Sequence, residues 1–277
     1  MKVAFAGDSA LDRILVGRLR GAFAVELVAD VHSLQGIARD CDVLVLGAGA
    51  PANLADEVAK CKSVALGRIA TVIDQRVVDP GGTRTFAMAL ERAGVALVDA
   101  PIHCETVAEF PQLAATLCGG TEAAFTRVKP LLDAMGARVL HFGEAGTGHT
   151  ARLLVGAAAT CNRLATCEGA AAGLANGLSV ADMAAVLNRS SGVNSGTERV
   201  LPHLGTGSRT TEMPLTEVAR EMRLTSQLAM RAGTPLLVAH VVGELCRSFA
   251  NALDEGATMD DAVLLMEKAA GLRYSSH

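Results

Sequence analysis

The sequence contains no tryptophan and one tyrosine, and aromatic residues make up only 3% of its 277 positions. It has no basic run, and its formal charge is −4. Nucleic-acid binding needs a positive surface and, for single strands, rings on which bases stack. Both are missing, which excludes a nucleic-acid partner and points to a small molecule. Apolar runs are broken by glycine or charge before about 18 residues, so no membrane-crossing helix is expected. Residues 1–8 turn polar too early for a secretory signal. The seven cysteines form no CxxC pair and have no histidines at ligand spacing. Neither a disulfide frame nor a metal site is therefore expected, and the thiols read as small core hydrophobes of a cytoplasmic protein.

What is present is apolar sequence, half of all residues, in two textures. Up to residue 147 short strand-like runs alternate with helical ones; from Gly148 onward the chain is almost wholly helical. This predicts an α/β domain over 1–147, with a doubly wound parallel sheet of Rossmann type, and a helical domain over 148–277. Strands are expected at 2–6, 25–30, 42–49, 70–74 and 95–101. A proline-free, Ala- and Leu-rich helix is expected over 150–174, about 35 Å long at 1.5 Å per residue. Further helices are predicted over 14–19, 82–93, 215–232 and 236–253, and Thr258 reads as the cap of a short terminal one. The ending, Tyr274 to His277, reads as frayed.

The first strand runs into Gly7-Asp8-Ser9-Ala10-Leu11-Asp12. A dinucleotide turn is G-x-G-x-x-G; here it is G-x-S-x-x-D, with the first glycine kept and the other two lost. Ser9 brings a Cβ to the place where backbone should meet a diphosphate, or serves as a helix cap. Asp12 would set a carboxylate beside that anion, which is unfavourable unless it points away. Asp30 follows about 20 residues later, the spacing of an acid that binds a ribose 2′-OH, and favours NAD over NADP; alternatively it starts a turn. The third strand opens at Gly47 into a Gly/Ala/Pro loop at its carboxyl end, where ligands of such sheets bind.

Several blocks carry a resemblance. Val72-Ile73-Asp74 with Pro80, Val98-Asp99-Ala100-Pro101, residues 118–125, residues 129–136 and Gly146-x-Gly148 together resemble the β-hydroxyacid dehydrogenase family. The resemblance implies a Rossmann domain, an all-helical second domain joined by a long helix, a nicotinamide cofactor, a small acid as substrate, and dimers or tetramers packed through the helical part. It also places functional positions, several of them altered. The family's Ser-Gly-Gly substrate loop falls on His103, Cys104 and Glu105, where Glu105 brings a charge that repels a carboxylate. Its Ser-Thr falls on Arg76 and Val77, so that Arg76 holds an anion or sits solvated. Its catalytic lysine falls on Arg152, and its two asparagines on Val155 and Gly156, the latter a substrate position. The lysine of its helical domain falls on Arg220, which would reach cofactor or substrate.

Arginine keeps its charge and cannot transfer protons, but it steadies a developing alkoxide or enolate. Proton transfer then falls to His149, His103 or water. Arg163 is expected to line the cleft or bind another helix. These residues lead to an NAD- or NADP-dependent oxidoreductase acting on a small, anionic carbonyl or hydroxy compound, with Arg152 as clamp and no metal. Two alternatives stand beside it: a non-redox acid–base enzyme such as an isomerase or tautomerase, and an inactive ligand-binding relative.

Overall fold

A computed structural model describes residues 1–60, 66–206 and 208–274. Five short strands form a parallel sheet: β1 (Lys2–Ala6), β2 (Ala24–Val28), β3 (Val43–Leu46), β4 (Thr71–Asp74) and β5 (Ala96–Asp99), in the order β2-β1-β3-β4-β5. Between them run α1 (Ala10–Leu19), α2 (Val31–Ile37), α3 (Ala52–Lys60) and α4 (Pro80–Glu91). β1 beyond Lys2, β3 and β4 are buried on both faces because both faces are covered, whereas the edge strand β2 is largely exposed. Val3 and Phe5 of β1 join one core with Val43 and Val45, whereas Ala4 and Ala6 join a second core with Leu44 and Leu46. The strand order reverses at β1, so the crevice between the carboxyl ends of β1 and β3 is the topological switch point, where open α/β sheets bind ligands.

The expected doubly wound sheet is found with one correction. It ends at β5, and a separate three-stranded sheet follows, β6 (Ile102–His103), β7 (Ala115–Cys118) and β8 (Arg138–His141). β6 and β7 are antiparallel, β7 and β8 parallel, with α5 (Glu122–Met135) connecting the latter pair. An isolated bridge from Asp99 to Gly119 ties this sheet to β5.

The chain divides into compact units at Met1–Arg152 and Leu153–His277, a boundary that falls inside α6 (Thr147–Ala175). The second unit also holds α7 (Val180–Leu187), α8 (Ser195–Arg199), α9 (Leu201–Leu204), α10 (Leu215–Ala232), α11 (Leu237–Ala252) and α12 (Met259–Ala270). Thr258 caps α12 through a capping box with Asp261. Arg163 binds another helix: its guanidinium pairs with Asp260 of α12 at 2.9 Å. Tyr274 is not frayed, being buried with its hydroxyl donating to the Cys167 carbonyl at 2.8 Å, while Ser275–His277 lie outside the described residues. Among the described residues no helix is long and apolar enough to cross a membrane, and no group of three or more His, Cys, Asp or Glu is placed to hold a metal.

Candidate active site

The turn after β1 is built around a buried carboxylate. Gly7 takes φ +146°, a conformation that side chains resist. Ser9 then caps α1 in a capping box: its hydroxyl accepts the Asp12 N–H at 3.1 Å, and Asp12 accepts the Ser9 N–H at 2.9 Å. Asp12 goes further. Its Oδ1 accepts the Ala48 N–H at 2.9 Å and its Oδ2 the Gly49 N–H at 2.8 Å, which stitches α1 to the loop after β3. The side chain is fully buried. Glycines make the room, since a Cβ on Gly7 would stand 2.7 Å from Oδ2 and one on Gly49 2.8 Å from it, with Gly47 crowding the same carboxylate. Asp12 therefore points into the switch point, not away from it.

A dinucleotide diphosphate would rest here on backbone N–H groups and the positive end of α1. In the first turn the Asp12 N–H goes to Ser9 Oγ and the Arg13 N–H to the Ser9 carbonyl. Ala10 and Leu11 are the first-turn donors that remain to face an anion. The turn fits a dinucleotide on these two donors, with the Asp12 carboxylate at their back. Asp30, exposed beyond β2, caps α2 by accepting the Ser33 N–H at 2.8 Å, and the Ser33 bonds hold its carboxyl below the usual range.

A second buried carboxylate organises the start of α6. Asp99, at the end of β5, accepts the Gly146 N–H at 2.7 Å and the His149 N–H at 2.8 Å, satisfying donors that a helix start leaves orphaned. Gly148 packs against the Asp99 and Leu117 carbonyls too closely for any side chain. His149 is wholly buried, with Nε2 at 2.7 Å from the Arg76 carbonyl and Nδ1 at 2.7 Å from Thr83 Oγ1. A carbonyl only accepts, so Nε2 donates to it, while Thr83 Oγ1, the partner of Nδ1, also lies 3.3 Å from the Asp79 carbonyl. Both ring nitrogens are thus engaged, which corrects the expectation of an acid–base histidine at a cleft mouth: His149 holds α6 to the β4 and α4 segments.

One helical turn on, Arg152 is 3% exposed, and its Nε donates to the Ile102 carbonyl at 3.3 Å. That contact sets it beside β6 and the half-buried stretch His103, Cys104 and Glu105. Gly156 follows on the same face of α6 at i+4. Arg76 is neither an open anion holder nor a solvated strand end. It grips the buried Asp74 carboxylate in two bonds, Nε–Oδ1 at 2.8 Å and Nη2–Oδ2 at 2.7 Å, on the wall of a cavity of about 520 Å³ that Asp79, Thr83 and Phe86 also line. Its charge is already answered. Arg220 lies in the second unit, bonded to Glu217 at 2.8 Å along a groove between α10 and α11.

Comparison with known proteins agrees with the architecture. Residues 19–143 match the family model described as the NAD binding domain of 6-phosphogluconate dehydrogenase, and residues 146–266 match that described as NAD-binding of NADP-dependent 3-hydroxyisobutyrate dehydrogenase. An NAD-dependent L-serine dehydrogenase of Pseudomonas aeruginosa is 30% identical over 123 residues, covering 44% of this chain and 41% of that one. The mitochondrial 3-hydroxyisobutyrate dehydrogenase of Rattus norvegicus is 27% identical over 183 residues, 64% of this chain and 55% of that one. The chain thus spans about half the length of the curated relatives it matches. Among solved structures, the Mycobacterium tuberculosis 3-hydroxyisobutyrate dehydrogenase with L-serine has a TM-score of 0.78 at 18% identity, over 96% of this chain and 98% of the other. Psf3 with NADP+ and 2-OPP has a TM-score of 0.76 at 17% identity, over 95% and 99%. At such identities the likeness is one of fold.

Proposed function

Because the chain belongs to the β-hydroxyacid dehydrogenase family, we propose that it is a nicotinamide-dependent oxidoreductase that interconverts carbonyl and hydroxy groups on a small, anionic compound. The observation that carries this reading is Arg152, a nearly buried guanidinium at the start of α6, fastened to β6 and next to His103. When bound, the dinucleotide supplies or accepts the hydride of the reaction. Ala10 and Leu11 would offer their N–H groups to its diphosphate, and Asp30 its carboxylate to a ribose, which favours NAD over NADP.

The remaining chemistry belongs to side chains of this protein. Reduction leaves negative charge on the carbonyl oxygen, and a permanently charged guanidinium in a dry site stabilises it without moving a proton. The proton itself must come from elsewhere. With both nitrogens of His149 engaged, His103 is the histidine on the Arg152 side to deliver it, or to pass it from water. Cys104 and Glu105 complete that wall, and the Glu105 charge steers an anionic group of the substrate toward Arg152. Gly156 follows on the same helix face at i+4 as the further substrate position. Met230, Leu237, Val238 and Val241, exposed at the junction of α10 and α11, favour a homodimer or tetramer formed through the second unit.

One observation favours the non-redox alternative, an isomerase or tautomerase run by His103 and Glu105: a carboxylate already sits in the diphosphate turn. Assay of small hydroxy acids, keto acids and imines with NAD(H) and NADP(H) tests the redox reading. Turnover should fall about 100-fold in Arg152→Met and partly survive in Arg152→Lys. Absence of turnover and of binding for both dinucleotides at millimolar concentration overturns it.

A further inference from the structure

We infer that Asp12 is a built-in anion that competes with the dinucleotide's diphosphate and thereby sets how weakly this protein holds its cofactor. The inference deepens the proposed function and rests on it for the identity of the ligand. Three backbone donors, the N–H groups of Ser9, Ala48 and Gly49, converge on one point of the switch crevice, and all three are spent on a single carboxylate. Convergent N–H groups at a helix start are an anion site; here the anion is covalently part of the helix. Among the described residues no salt bridge or basic side chain balances it: the groups that its carboxylate accepts from are all backbone N–H groups.

An arriving diphosphate meets one of two situations. If Asp12 stays, the phosphates have Ala10 and Leu11 as donors and a like charge just behind them, undiluted by solvent because the carboxylate is fully buried. If Asp12 swings out, three hydrogen bonds, one of them its half of the capping box, are lost before any are regained. Either course costs affinity. The same bonds stabilise the empty protein, so the residue acts with opposite sign on the two states: it strengthens the protein without nucleotide and weakens nucleotide binding. A purely structural carboxylate would do only the first.

The test compares the native 277-residue chain with Asp12→Gly and Asp12→Asn, measuring melting temperature without ligand and calorimetric affinity for NADH, NADPH and inorganic pyrophosphate. Gly returns all three donors to the ligand; Asn removes the charge while leaving one acceptor oxygen, and covers the case in which the glycine variant fails to fold. Both variants should melt lower than the native protein and bind the dinucleotide at least about tenfold more tightly. Pyrophosphate should raise the melting temperature of Asp12→Gly more than that of the native chain, which ties the gain to the phosphate end of the ligand. Equal dinucleotide affinities for native and variant proteins overturn the inference and leave the proposed function standing. Binding by neither native nor variant protein overturns the proposed function and the inference with it. Binding by the variants alone overturns the proposed function for the native chain while supporting the inference that Asp12 is the anion that closes the crevice.

Discussion

Asp12 and Asp99 are both wholly buried carboxylates that receive backbone N–H groups at the start of a helix, yet they come to it from opposite directions. Asp99 belongs to the sheet and reaches up to α6, binding Gly146 and His149. Asp12 belongs to α1 and reaches back to its own cap and to the loop after β3. In the first case a strand end anchors a helix, at a point where the fold needs a joint. In the second, the donors lie at the topological switch point, where the fold offers a ligand site. The same chemistry is structural in one place and competes with function in the other, because location decides who else would use the donors.

The sharpest way to break the comparison is Asp99→Ala. It orphans two N–H groups at the start of a 29-residue helix and removes the carboxylate beside the His149 ring, 3.7 Å away. A loss of about 3–5 kcal/mol is expected in urea unfolding, with no gain of dinucleotide affinity. If affinity rises there too, the two carboxylates are not distinct in role. Asp12→Asn should cost about 1–2 kcal/mol, and Ser9→Ala, which removes the cap but leaves the carboxylate, about 1 kcal/mol, with nucleotide affinity unchanged in the latter. Asp30→Ala sharpens the contrast between the buried carboxylates and an exposed one: stability is expected to change little, while any preference for NAD over NADP narrows in side-by-side titration.

A pH series gives a smaller effect. The carboxyls of Asp30, Asp42 and Asp261 are held below their usual range, chiefly by backbone N–H groups of Ser33, Lys2 and Thr258 respectively. Their folded pKa values are lower than the unfolded ones. The stabilisation is therefore complete above the unfolded pKa, near pH 4, and is lost as pH falls through the folded values. Melting temperature should decline on acidification below about pH 4. The smallest expected effect is at the thiols. Burial pushes Cys118, Cys167 and Cys246 up to about 12, so a thiol reagent at pH 8 should reach them in urea and leave them unmodified in the native protein.

Much of this was legible in the sequence where one period dominates. α10 spans 215–232 as expected, and α6 begins three residues before the expected start because Gly146 and Gly148 could be read as release points, but not Gly146 and His149 as the donors Asp99 would claim. β7 and β8 escaped notice: four residues each, the second half-exposed, they show no alternation strong enough to detect. At the site, Arg152 bonds the carbonyl of Ile102, the residue before the stretch from His103 to Glu105. What could not be read was commitment. That Arg76 spends its charge on Asp74, and His149 both nitrogens on a carbonyl and a hydroxyl, depends on partners 2 and 66 to 73 residues away. Asp12 was visible as an intruder in a glycine motif. Its direction was not, because the room for it is made by Gly47 and Gly49, more than 30 residues on.

That room has a consequence for solvent. Were residue 12 shortened, the chamber walled by Gly7, Gly47 and Gly49 would keep three inward N–H groups and lose the atoms that answered them. A hollow so polar does not stay dry; about three partners are what an interior water ordinarily has. An Asp12→Gly crystal should therefore show an ordered water within hydrogen-bonding reach of Ser9, Ala48 and Gly49, ready to bridge them to a phosphate oxygen.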